Sequence, residues 1–417
     1  MSPDRRLQIA FVTETFPPEI GGAAMSAGRF VSALLARGHR VQLVRPRQPV
    51  ETPQIGPAGL TLQLVPGVPV PFHGGLQLGL PAGRTLQRTW TRLRPDLVHL
   101  VSEGLLGRSA RRVASRLGIP VTSSFHTNFP SYGRHYGFGW LEPLALRYLR
   151  SFHAAADVTI VPTTQVRDQL AAAGFANLAV VGRGVDTEHF HPRRRSEALR
   201  RTWGAGPRDL VALVVGRLAP EKNVPLAVRA YRAMAESRPG TRLVLVGEGP
   251  ERAALQAALP DAVFTGMLRG EALAAHYASA DVFLFPSLTE TFGNVTLEAM
   301  ASGLAVVAYD DAAAAQHIRP FASGLLAPRG DAAELVALAR RLALQPALAA
   351  RLGPAAREAV VPVSWDAVGA AFTGLLEAAA ARARGASSPS RAPASAGAAP
   401  AGAPRAATDR ASGYARS

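Results

Sequence analysis

Of the 46 Lys and Arg residues in this chain, only Lys222 is a lysine. It stands in GRLAPEKN, residues 216–223, together with Arg217. The two cations offer different chemistry: a guanidinium chelates two oxygens in a plane, whereas an ammonium is a compact point charge. Both follow the apolar run LVALVVG and lead, through Asn223 and Pro225, into a helical pattern. A strand-to-helix turn carrying two fixed cations suits a pyrophosphate, because helix N–H groups and side-chain charge act on the same anion. Downstream, ETFGNVTLEAMASG places Glu290 and Glu298 eight residues apart. Glu290 falls on the loop after DVFLFPS and Glu298 about two turns into the next helix, so both are able to face one cleft. A carboxylate there would accept hydrogen bonds from vicinal sugar or ribose hydroxyls. Two acids near a strand end also serve as helix caps or surface charge, so this pair alone decides nothing.

The elements that must position these residues are legible as alternating apolar runs and helical patterns. LQIAFVT, HRVQLVRP, LTLQLV, PDLVHLVS, PVTSSFH, DVTIVP and NLAVVG read as buried strands of a parallel sheet. The pattern lapses at about residues 187–207 and restarts with LVALVVGRL, TRLVLVG, AVFTG, DVFLFPS, LAVVAYD and GLLAP. The prediction is an α/β protein of two doubly wound Rossmann-like domains facing each other across a cleft: residues 1–186, a linker at 187–207, and 208–363. A helix at 364–384 is expected to cross back to the first domain. Residues 385–417 contain no Leu, Ile, Val or Phe and are expected to be disordered.

Composition narrows the chemistry further. A chain of 417 residues with no cysteine excludes disulfides, thiolate metal sites and cysteine nucleophiles. The seven residues between Arg6 and Glu14 are too few for the apolar core of a signal peptide, and no run approaches a membrane span. The expectation is a cytoplasmic protein. Its net charge of +16 is concentrated in residues 1–200, which hold 24 arginines against 12 acids. Arg84, Arg88 and Arg92 share one predicted helix face, as do Arg108, Arg112 and Arg116. Such faces attract an anionic membrane surface or remain simply solvated, and no nucleic-acid motif accompanies them.

GRLAPEKN and ETFGNVTLE, about 70 residues apart in a second α/β domain, together resemble the retaining family-four glycosyltransferases of the GT-B fold. TETFPPEIGGAAMS and SFHTNFPSYGRHY fit the same resemblance, which covers about residues 7–384. TETF, FHTNF and RGVDTEHFHP look most like the α-mannosyltransferase and sulfoquinovosyl-diacylglycerol synthase branch. The resemblance implies that Arg217 and Lys222 bind the donor diphosphate and stabilise the leaving group. It implies that Glu298 holds the ribose, while Glu290 with the amides of Phe292, Gly293 and Asn294 orients the donor sugar. Gly21 and Gly22 would let the backbone approach the diphosphate from the acceptor-side first domain, and His126 would contact the transferred sugar. Gly247 is expected to shape the nucleotide pocket, and Arg183 either to reach the cleft or to pack at the domain junction.

The function so implied is transfer of a hexose, mannose favoured, from a GDP- or UDP-linked sugar to a lipid or polysaccharide acceptor, with retention at the anomeric carbon. The expected partners are the nucleotide sugar, the acceptor and an anionic membrane surface. No cofactor is implied. No DxD follows a strand, and Asp310–Asp311 reads as an acidic pair, so no metal is expected. In YGFGWLEPLALRYLRSF, the residues Phe138, Trp140, Leu141, Leu144, Tyr148 and Leu149 mix with Arg147 and Arg150 as a membrane-contacting or sheet-packing helix. The alternative readings are a non-catalytic sugar-nucleotide or polysaccharide-binding protein on the same scaffold, and another enzyme of this architecture such as an epimerase or pyridoxal-dependent phosphorylase.

Overall fold

The computed structural model describes residues 6–17, 19, 21–48, 56–70, 77–125 and 142–387. The first domain is built on β1 (Gln8–Val12), β2 (Arg40–Pro46), β3 (Leu60–Val65), β6 (Leu97–Leu100), β7 (Val121–Ser124), β8 (Val158–Val161) and β9 (Leu178–Val180). These seven strands are all parallel and lie in the order β3-β2-β1-β6-β7-β8-β9. A short antiparallel pair, β4 (Gly67–Pro69) and β5 (Gln77–Gly79), interrupts the alternation and was not visible in the sequence pattern. The second domain is built on β10 (Val211–Val215), β11 (Arg242–Val246), β12 (Val263–Gly266), β13 (Val282–Phe285), β14 (Ala305–Tyr309) and β15 (Leu325–Ala327). Its order is β12-β11-β10-β13-β14-β15, again all parallel.

The continuous apolar runs explain this arrangement. Every residue of β10, VALVV, is buried, because helices cover both faces of a parallel sheet. In each domain the strand order reverses once, between β1 and β6 and between β10 and β13. Loops leaving those adjacent strands diverge to opposite faces and open a crevice at the strand C-terminal ends. Arg217 and Lys222 follow β10, and Glu290 follows β13. The cations and the carboxylate therefore come from the two sides of one crevice.

The segment expected as a linker is folded onto the second domain. It contains a 3-10 turn at Pro192–Arg194 and a helix at Glu197–Thr202. Arg200 is fully buried there, bonding the Ser279, Gly206 and Asp209 carbonyls and the Asp281 carboxylate. Few apolar residues are needed where one buried guanidinium gathers four acceptors, so the hydropathy pattern lapsed without the structure lapsing. The helix Trp365–Ser387 packs on the first-domain helix Gly22–Ala36, with Phe372 stacked on Phe30 at 4.2 Å and Arg37 donating to Asp366 at 2.8 Å. It includes Gly385–Ser387, three residues expected to be disordered, because a packed helix propagates past its last apolar contact. The rest of that expected tail, 388–417, lies outside the described residues.

Both predicted arginine faces form. Leu86 and Trp90 bury one side of helix Gly83–Leu93 and leave Arg84, Arg88 and Arg92 outward. Leu106, Ala110 and Val113 do the same for Arg108, Arg112 and Arg116 on helix Leu105–Leu117. Leu144 and Tyr148 are exposed on helix Glu142–His153, while Leu149 is buried. Phe138, Trp140 and Leu141 lie outside the described residues. Among the described residues, no helix is long and apolar enough to cross a membrane.

Candidate active site

Lys222 ends a 3-10 turn, Pro220–Lys222, and Asn223 then takes a left-handed backbone (φ 52°) that starts helix Val224–Ser237. The turn points the ammonium across the crevice to Glu290 Oε1, to which it bonds. Ser287 also donates to that oxygen, at 2.8 Å, and the Phe285 ring lies 5.9 Å from the ammonium. Among the described residues, Lys222 and Ser287 thus hold Glu290, whose side chain is 13% exposed. Arg217 pairs with Glu221 and is 52% exposed, leaving its guanidinium accessible from solvent. Ser287 had no sequence signal beyond its place at the end of β13.

Two glycines lock the cation-bearing loop in place. A Cβ on Gly247 would strike the Gly216 carbonyl, and one on Gly249 the Leu218 carbonyl. The loops after β10 and β11 are correspondingly bonded through Gly216 N–H to Val246 and Leu218 N–H to Glu248. Gly247 therefore packs against the loop that carries Arg217. Gly293 adopts φ 87°, a conformation that favours glycine, and turns the chain into helix Asn294–Ala301. That helix has no side-chain cap on its first amides. Uncapped N–H groups at a helix start favour an anion. The Asn294 Oδ1 is buried without a hydrogen-bond partner. Glu298, farther along the helix, accepts from the Tyr277 hydroxyl at 3.0 Å. Burial pushes its carboxyl up to about 7.

Across the cleft, Gly22 begins helix Gly22–Ala36, which also lacks a side-chain cap. A Cβ on Gly21 would meet nothing, and one on Gly22 would lie 3.7 Å from the Asn294 amide nitrogen. The two uncapped helix starts accordingly face each other. Phe292 is buried in the second-domain core, and the guanidinium carbon of Arg183 lies 5.9 Å from its ring. Arg183 itself donates to the Gly22 carbonyl at 2.7 Å and to the Ser26 hydroxyl. His126 lies outside the described residues. Asp311 of the acidic pair bonds to Arg329, at 3.3 Å.

The first-domain crevice carries groups that sequence reasoning passed over. Glu14 follows β1 and Glu103 follows β6. Burial, with the Glu103 charge adding to it, pushes the Glu14 carboxyl up to about 7. His153 lies 3.3 Å from Glu103 and 2.9 Å from Ser123, which in turn reaches Thr159 at 3.0 Å. The only available signal was position: both acids directly follow apolar runs read as strands, which the fold places side by side. A carboxyl that is half protonated near neutrality both donates to and accepts from hydroxyls.

Residues 20–189 match Glycosyltransferase Family 4, and residues 195–359 match Glycosyl transferases group 1. A GDP-mannose-dependent alpha-mannosyltransferase of Mycolicibacterium smegmatis is 38% identical over 380 residues, spanning 90% of this chain and 98% of the relative. The chain belongs to glycosyltransferase family 4. Sulfoquinovosyl transferase SQD2 of Arabidopsis thaliana is similar to this family 4 glycosyltransferase at 34% identity, over 72% of this chain and 60% of the relative. Among solved structures, sucrose-phosphate synthase of Thermosynechococcus elongatus superposes with a TM-score of 0.73 at 22% identity, covering 90% of this chain and all of that one. Anabaena HepE in complex with UDP and glucose gives 0.67 at 17% identity, covering 89% and 100%. These likenesses establish the GT-B fold of the family 4 enzyme.

Proposed function

We propose that this glycosyltransferase moves a hexose, with mannose favoured, from a nucleoside diphosphate sugar to a hydroxyl of a lipid or polysaccharide acceptor. A lipid acceptor is preferred. The observation that carries the reading is the Lys222–Glu290 pair, built from the loops after β10 and β13 at the second-domain switch point. The name of the M. smegmatis relative supports a GDP-mannose donor, and alpha-monoglucosyldiacylglycerol synthase of Acholeplasma laidlawii, 26% identical, supports a lipid acceptor. The exposed arginines of the first domain support contact with an anionic membrane surface.

In this reading Lys222 and Arg217 neutralise the leaving diphosphate as the C1–oxygen bond to the β-phosphate breaks. The acceptor oxygen bonds to C1 on the same face and its proton passes to the departing phosphate oxygen, which retains configuration. Fixed cations supply the charge stabilisation that a metal provides elsewhere, so activity in excess chelator is expected to equal activity without it. Glu290 orients the sugar, and Glu298 accepts from the ribose hydroxyls. Acceptor hydroxyls approach from the first domain, near Glu14 and Glu103.

The test is a thermal-shift series with GDP, UDP, ADP and their sugar conjugates on the wild type and Lys222→Ala, followed by turnover on vesicles with labelled donor. A ligand at about 100 times its dissociation constant contributes roughly 2.7 kcal/mol. One nucleotide class is expected to raise the melting temperature of the wild type and not of the variant. No shift with any nucleotide would refute the donor site and favour a polysaccharide-binding role.

A further inference from the structure

Arg183 occupies the pivot of the molecule. It stands one residue before Gly184, where the chain leaves the first domain. A Cβ on Gly184 would approach the Trp365 amide nitrogen to 2.5 Å, and Val185 bridges to Ser364. The outgoing and returning crossings are thus fastened together beside Arg183. Its side chain, 5% exposed as a residue, reaches forward to the Gly22 carbonyl and Ser26 hydroxyl in the first turn of helix Gly22–Ala36. The same guanidinium faces Phe292 of the second domain.

A carbonyl and a hydroxyl are acceptors that a neutral amide would serve as well. The guanidinium is the more costly choice at this position. Burial opposes its charge, pushing its pKa down to about 10, and it sits at the positive end of the helix dipole. Glu290 supports the charge through its field, yet its carboxylate bonds directly to Lys222. Arg183, Lys222 and the uncapped starts of helices Gly22–Ala36 and Asn294–Ala301 therefore converge on one gap between the domains. An anion in that gap lowers the energy of all four groups together, and a diphosphate fits the charge.

We propose that Arg183 is a positioning residue that couples donor diphosphate binding to the seating of the first domain, acting through the first turn of helix Gly22–Ala36. The inference rests on the donor site proposed above. It predicts that the charge of Arg183 matters to the diphosphate-bound state and not to the stability of the ligand-free fold.

The experiment compares wild type, Arg183→Gln, Arg183→Lys and Lys222→Ala. It measures ligand-free melting temperature, calorimetric affinity for GDP and guanosine with UDP and uridine in parallel, and the radius of gyration with and without diphosphate. Arg183→Gln is expected to melt at or above the wild-type temperature, to bind the nucleoside unchanged, and to bind the diphosphate at least tenfold more weakly with loss of compaction. Arg183→Lys, which keeps the charge, is expected to recover most of the affinity and to change KM more than kcat. Diphosphate affinity within twofold of wild type in Arg183→Gln would overturn the proposal. So would a ligand-free melting loss, or failure to fold, in Arg183→Gln that Arg183→Lys repairs, since that outcome assigns the guanidinium to stability. If Lys222→Ala loses diphosphate binding while Arg183→Gln keeps it, this inference alone fails. If the wild type binds neither diphosphate, the donor site itself fails.

Discussion

Glu298 gives a test whose sign and size come from its surroundings. It accepts from the Tyr277 hydroxyl, and burial moves its carboxyl from an ordinary 4.5 up to about 7. Between those values the folded protein keeps a proton that the unfolded chain has released. The folded state therefore binds more protons, and stability falls as pH rises. The contribution is full below about pH 4.5 and lost by about pH 7, at a slope of about 1.4 kcal/mol per unit and a total of about 3 kcal/mol. Glu14 shifts in the same direction, so the wild-type curve alone does not isolate Glu298. Glu298→Gln does, because the amide keeps a carbonyl acceptor for Tyr277 and removes the titration. Denaturant unfolding of both proteins at several pH values from 4.5 to 7.5 reads the difference. Near-equal stability is expected at the acid end, with the variant about 3 kcal/mol more stable at the other. Parallel curves across the range would refute the claim that this carboxyl is desolvated. Binding offers a second reading: wild-type affinity for a ribonucleotide rises through pH 7, and a 2′,3′-dideoxy analogue lacks that rise.

Replacing Lys222 by Ala removes a donor to Glu290 and the only lysine in the chain, and is expected to lower kcat about 10²- to 10³-fold with nucleoside affinity unchanged. Steady-state transfer assays and calorimetry check both halves. Arg200→Met strands the acceptors that the buried guanidinium serves and is expected to cost about 3–5 kcal/mol in urea unfolding. Gly184→Val drives a side chain into the Ser364–Trp365 backbone and is expected to cost about 1–3 kcal/mol, with faster proteolysis at helix Trp365–Ser387. Normal proteolytic resistance in that variant would show that the crossings are not packed together.

The parallel sheets were legible because strands buried on both faces must be apolar throughout, and runs such as VALVV and VFLF leave no other reading at that length. Arg217, Lys222 and Glu290 were legible as candidates because cations and acids directly after such runs fall at strand C-terminal ends. Which acid meets which cation was not. The strand order places β10 beside β13 although β11 and β12 intervene in sequence, and only that order brings Lys222 to Glu290 over 68 residues of separation. The same holds for Glu14 and Glu103, which meet because β1 pairs with β6. Residues 187–207 misled because hydropathy records apolar burial and is silent about a buried arginine satisfied by carbonyls. Local sequence determined the elements and the loops that carry the candidate residues, since burial and backbone preference act over a few residues. Tertiary structure decided the pairing of charges, the shifted carboxyls and the place of Arg183 between the domains, since desolvation and electrostatic fields depend on neighbours that the chain brings in from far away.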